Sequence, residues 1–180
     1  MVNVRQHNPT NDHPPDHPGA RDPGRLNLLL SCEPPSRPTD EWSSQLPRLL
    51  EPMGVTAVRA SSGAEAARLI RSTQIHIAIV DLSIPLEEPP IPEDHDHQRP
   101  AAAPQEGGRR ILQLLSRLDA PPPTLVVKAR RTKREDARAL QAALTAGAFA
   151  VLDRPVNLET VLRTMGRAVR KHYADRWPDA

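Results

Sequence analysis

The residues of this chain that could do chemistry stand at the ends of apolar runs. Asp81 closes IHIAIVD (75–81), and Lys128 closes TLVVK (124–128). Ser31, Cys32 and Glu33 follow the run 26–30, and Arg154 follows the run 149–152. Together they offer carboxylates, two cations and a thiol. Cys32 is the single cysteine. As a redox thiol it would need a neighbouring cation such as Lys128 to lower its pKa. A small side chain buried at a strand end explains it more simply. The run Asp94-His95-Asp96-His97 carries nitrogen and oxygen donors suited to a transition metal. It lies in proline-rich surroundings that preform no site, so it reads as solvated, as do His7, His13 and His17. His76 reads as a partly covered histidine at a strand start rather than a ligand.

Those strand ends need elements to hold them. LNLLLS (26–31), VTAVRA (55–60), IHIAIVD (75–81), TLVVK (124–128) and 149–152 read as five strands. The third is nearly continuous and β-branched, as expected of a strand covered on both faces. Helices fall between and after them. The first is expected from Thr39-Asp40 to about Met53, closed by Gly54 and disturbed by Pro47. Its inward face is Trp42, Leu46, Leu49 and Leu50. The second starts at Ser61-Ser62-Gly63 and runs to Arg71, with Ala64, Ala67, Leu69 and Ile70 inward. The third starts at Gly107-Gly108 and reaches Leu118, before the PPP run at 121–123. The fourth spans 133–146 and stops at Gly147; the fifth is capped by Asn157 and runs to about Tyr173. Strict β-α alternation predicts a parallel sheet with helices on both faces. Five strands suggest a flavodoxin-like α/β fold, strand order 2-1-3-4-5, with function at the carboxyl ends of the strands.

Composition fits an ordered core with polar extensions. The chain has 180 residues, 21 prolines and four aromatics. Residues 1–25 and 86–106 hold 10 of those prolines in 46 positions. The first segment reads as a disordered leader. The second carries five prolines, six acids and one arginine, and reads as a mobile insert. The domain expected is thus 26–173, with a tail at 174–180. No run reaches the ~18 apolar residues of a membrane span, and the N-terminus lacks a signal-peptide core. With one cysteine, a cytoplasmic setting is expected. A net charge of +2 is too small to argue for nucleic acid.

With these elements in order, the sequence resembles the receiver domain of two-component response regulators, the chemotaxis-type receiver family, as a degenerate member. The likeness covers about 26–173 outside the insert. It rests on IAIVDLSIP (77–85), with Pro85 four residues after Asp81, on Gly107-Gly108, and on LTAGAFAVLDRPVNLETVL (144–162). The resemblance implies that Asp81 occupies the phospho-acceptor position. In the family an acid pair after strand one helps hold Mg²⁺, a Ser/Thr after strand four and a lysine after strand five contact the phosphoryl group, and an aromatic on strand five transmits the switch. Metal and cations are needed there because the incoming group is anionic.

Here most of those positions differ. Ser31 and Cys32 stand at the acid pair, with Glu33 next; Lys128 stands at the hydroxyl, Arg154 at the lysine and Val151 at the aromatic. Mg²⁺ prefers oxygen donors, so no cofactor is expected; if a metal binds, Glu33 and Asp81 are its ligands. Lys128 and Arg154 are expected to face Asp81 together and hold it ionised, with a depressed pKa. The resemblance therefore implies a stand-alone, non-enzymatic pseudo-receiver that signals by protein contacts. The alternative is a response regulator phosphorylated on Asp81 by a histidine kinase. Lys128, Arg130, Arg131, Lys133, Arg134 and Arg138 form a basic stretch on the face of helix four, strand five and helix five, the family's usual docking surface. An acidic signalling partner, a homodimer or the acidic insert could meet it. Nucleic acid is the remote alternative, because helix-turn-helix and interleaved aromatic patterns are lacking.

Overall fold

Five short runs of leucine, isoleucine and valine become the strands of one sheet. The structure, a computed structural model, describes residues 26–32, 41–87, 106–129 and 132–174. The strands are β1 (Leu26–Ser31), β2 (Val55–Ala60), β3 (Ile77–Asp81), β4 (Thr124–Lys128) and β5 (Ala150–Asp153). They pair in parallel in the order β2-β1-β3-β4-β5. This is the predicted order, and the strict alternation of strand and helix accounts for the parallel pairing.

The pleat divides the core in two. Leu28 and Leu30 of β1, Ile77 and Ile79 of β3, and Leu125 and Val127 of β4 face one side. There they meet α1 (Trp42–Leu50) and α5 (Leu158–Tyr173). Leu29, Ala78, Val80 and Val126 face the other side. They meet α2 (Gly63–Ser72), α3 (Gly107–Leu115) and α4 (Lys133–Thr145). Successive side chains of a strand point to opposite faces, so each helix layer is fed by every second residue.

Local details depart from the sequence expectations. β3 starts at Ile77, because His76 N–H bonds Asn27 O and the imidazole Nδ1 accepts the Asn27 N–H at 2.9 Å. β5 is shifted by one residue, and α3 ends at Leu115. Leu49 is exposed, not inward. In α2 the buried residues are Gly63 and Ala66; Ala64, Ala67, Leu69 and Ile70 are half-buried. The α1 start lies at Trp42; the proposed Thr39-Asp40 cap lies outside the described residues. The helix runs through Pro47. Proline has no N–H for the Ser43 carbonyl one turn earlier, and Arg59 Nη2 donates to that oxygen instead, at 3.0 Å. A short 3₁₀ turn then ends at Gly54, in the left-handed conformation at φ 79°. Thr132 and Glu135 cap α4 reciprocally, as a T-x-x-E capping box. Asn157 caps α5 as expected, accepting from Thr160 N–H. The leader 1–25, the insert residues 88–105 and 175–180 lie outside the described residues.

Candidate functional site

Asp81 is the last residue of β3 and keeps the parity of Ile77 and Ile79, toward the α1–α5 layer. Its side chain is 1% exposed. Ser83 N–H donates to Oδ1 at 2.8 Å, and Arg154 Nη2 donates to Oδ2. Arg154 follows β5 directly, its peptide bond to Pro155 is cis, and its own N–H donates to Lys128 O. So the expected pairing of Asp81 with Arg154 is present, across 73 residues of chain.

Lys128 does not join them. It continues the parity of Val126, away from Asp81 and toward α4. Its ammonium lies 2.7 Å from Asp136 of α4 and 2.6 Å from Asp153 of β5. The expected three-membered cluster is therefore two separate ion pairs, split by the pleat. Burial lowers the Lys128 pKa, but hydrogen bonds and charge from Asp136 and Asp153 outweigh it and leave the pKa raised.

The expected depressed pKa of Asp81 is also corrected. Burial pushes its carboxyl above the ordinary aspartate range. The Ser83 N–H and the Arg154 charge pull it back without cancelling that cost. The sign has a consequence for stability. Between the ordinary and the raised pKa the folded state holds more protons than the unfolded one, so stability falls as pH rises through that window. Asparagine mimics the neutral acid and keeps an acceptor for Ser83. Arg154 is 23% exposed and stays hydrated without its partner, so Asp81→Asn is expected to stabilise the fold at pH 7. The gain should vanish as pH falls toward 3.8, the ordinary value. Melting curves of both proteins across pH check this; a lower melting temperature for the variant at pH 7 contradicts it.

Of the remaining residues singled out in the sequence, Ser31 and Cys32 are buried at the end of β1. Ser31 Oγ has no hydrogen-bond partner. Burial pushes the Cys32 thiol up, against an opposing hydrogen bond and charge from Arg59. Its cationic neighbour is thus Arg59 rather than Lys128, and the thiol is kept protonated. Glu33, Arg130, Arg131 and the 94–97 run lie outside the described residues. Val151 is half-buried against the α2–α4 layer. Lys133, Arg134 and Arg138 are exposed on α4, whereas Lys128 is buried and belongs to no surface patch. His76 is buried and held below its usual pKa by that burial; its Nδ1 and its carbonyl are taken by Asn27 and Tyr173. That is a structural role, as read from the sequence.

The described residues around Asp81 do not make up a donor set for Mg²⁺. Among the described residues no group of three His, Cys, Asp or Glu side chains could hold a metal. Both Asp81 oxygens already accept from N–H donors, and a guanidinium sits where a cation would have to bind. Among the described residues no helix is long and apolar enough to cross a membrane.

No family model matches the chain, and no curated protein matches it. Solved structures do. The signal receiver domain of an HD domain-containing protein from Pseudomonas fluorescens Pf-5 aligns with a TM-score of 0.58 and 15% identity, covering 83% of this chain and 98% of that one. A response regulator receiver protein from Pseudomonas putida gives 0.54 and 18%, covering 79% and 97%. The non-phosphorylated HemR receiver domain from Leptospira biflexa gives 0.54 and 19%, covering 81% and 94%. At such identities the shared property is the fold. This chain has the receiver-domain fold, with strand order 2-1-3-4-5 as the sequence predicted.

Proposed function

We propose that this receiver-fold chain is a pseudo-receiver of two-component signalling: a non-enzymatic cytoplasmic module that works through protein contacts, not by accepting phosphate. The observation that carries this reading is the Arg154 guanidinium on Asp81 Oδ2, opposite the Ser83 N–H on Oδ1. A carboxylate attacks a phosphoryl group with a free oxygen, and the charge must be neutralised by metal and cations. Here both oxygens are engaged, and among the described residues no three His, Cys, Asp or Glu side chains could hold a metal. Arg154 supplies internally the positive charge that a bound cation would bring. A histidine kinase or another signalling protein is the partner class. The contact face offered is α4, where Leu140 and Leu144 are 41% and 49% exposed beside Lys133, Arg134 and Arg138. Such a basic rim fits an acidic partner and makes binding salt-sensitive.

The test is incubation of the full chain with acetyl phosphate and Mg²⁺, followed by intact mass. No adduct is expected. A gain of about 80 Da, the mass of one phosphoryl group, that is lost in Asp81→Asn would instead establish a phosphorylatable response regulator.

A further inference from the structure

We propose that Lys128 is a buried latch that fixes α4 to β5 and so sets the shape of the α4 surface, independently of Asp81. Among the described residues α4 buries little of its own surface. Of its 13 residues only Ala143 is buried, while Leu140 and Leu144 face solvent. By contrast, α3 and α5 each bury five residues. A helix with one buried alanine gains little from apolar burial. A further attachment is at the first turn. There the Thr132–Glu135 capping box orders the chain, and Asp136 reaches the Lys128 ammonium at 2.7 Å. The same ammonium holds Asp153 of β5 at 2.6 Å. Arg154 N–H on Lys128 O fixes the two strand ends beside each other. One cation thus ties β4, β5 and α4 together.

The burial pattern suits a latch. The Lys128 side chain is 8% exposed. The carboxylates are 31% and 46% exposed, so they remain hydrated if the cation is removed. Loss of the charge should therefore release the helix without leaving a buried orphan carboxylate. This inference goes beyond the proposed function and does not depend on whether Asp81 accepts phosphate.

The experiment is amide hydrogen exchange read by mass spectrometry on the full chain, comparing wild type with Lys128→Met and Asp153→Asn. Methionine keeps the length and apolarity of the stem and removes the charge. Lys128→Met is expected to speed exchange across 132–146 by tenfold or more, with β1 and β3 unchanged. Asp153→Asn should give a smaller change in the same segment. Unchanged α4 protection in Lys128→Met overturns the latch, as does acceleration spread equally over the sheet. Should Lys128→Met fail to fold, Asp153→Asn decides: local acceleration in α4 supports the latch, and no change or a global one overturns it.

Discussion

Arg154→Met should cost about 3 kcal/mol of stability at neutral pH, because it strands a buried carboxylate. Asp81 is 1% exposed, and among the described residues its cationic partner is Arg154. Breaking a buried pair from one side typically costs 3–5 kcal/mol. The low end applies here for two reasons. Arg154 is itself 23% exposed, so the pair is not fully dry. Asp81 can also escape by taking up a proton. Protonating at pH 7 a group whose ordinary pKa is 3.8 costs about 4 kcal/mol, which is a ceiling on the loss. The pH dependence follows from the same sign as in wild type. Removing Arg154 raises the Asp81 pKa further, so the penalty is full above that value and shrinks as pH falls toward the ordinary aspartate range. The double variant Arg154→Met with Asp81→Asn removes both charges. It should return to within about 1 kcal/mol of wild type, the signature of a coupled pair. Chemical denaturation of the four proteins measures the cycle. An Arg154→Met protein as stable as wild type would remove the ion pair as an energetic feature, and with it the support for a self-neutralised Asp81.

The second large effect is expected at Gly108, through packing instead of charge. A Cβ at Gly108 would lie 2.4 Å from Asp81 O and 2.5 Å from Leu82 Cα. One at Gly107 would lie 2.1 Å from Pro85 O. These are backbone atoms of the loop that follows Asp81, and they cannot swing aside as a side chain would. The loop is pinned from its other side too, because Pro85 O and Leu86 O accept N–H bonds from Gly63 and Ala64 at the start of α2. Gly108→Ala must therefore push α3 off the sheet or distort the site. We expect a net loss of about 2–3 kcal/mol, after the small helix-propensity gain from alanine. Gly166 in α5 is the internal control. A Cβ there meets only Arg170 Nη1, at 3.7 Å, so Gly166→Ala should stabilise by nearly 1 kcal/mol. Opposite signs for the same substitution in two helices, measured by thermal melting, would establish that close approach, not helix propensity, keeps Gly108. A Gly108→Ala protein at least as stable as wild type would refute it.

Residues 1–25 and 86–106 hold 10 of the 21 prolines, and the described residues outside them form a sheet in the predicted order. The parts that were misread are those where a neighbour distant in sequence decides. Pro47 looked like a helix disturbance, and Arg59 of the adjacent strand satisfies the carbonyl it frees. Leu49 looked apolar enough to face inward, but the sheet accepts Leu46 and Leu50 and leaves it in solvent.

The same division holds at the site. The sequence by itself determined that Asp81, Lys128 and Arg154 stand at the carboxyl edge of a parallel sheet, because apolar runs and alternating helices leave strand ends nowhere else to go. Only the tertiary structure decided which of them meet. Asp81 is set toward the α1–α5 layer, and Arg154 comes to it from 73 residues away. Lys128, one residue beyond Val127, falls on the opposite face and meets Asp136 and Asp153. A one-residue step along a pleated strand turns a side chain to the other side of the sheet. The Asp81 pKa was settled at the same level: charge counted along the sequence pointed down, and burial, a property of the packed domain, turned it up.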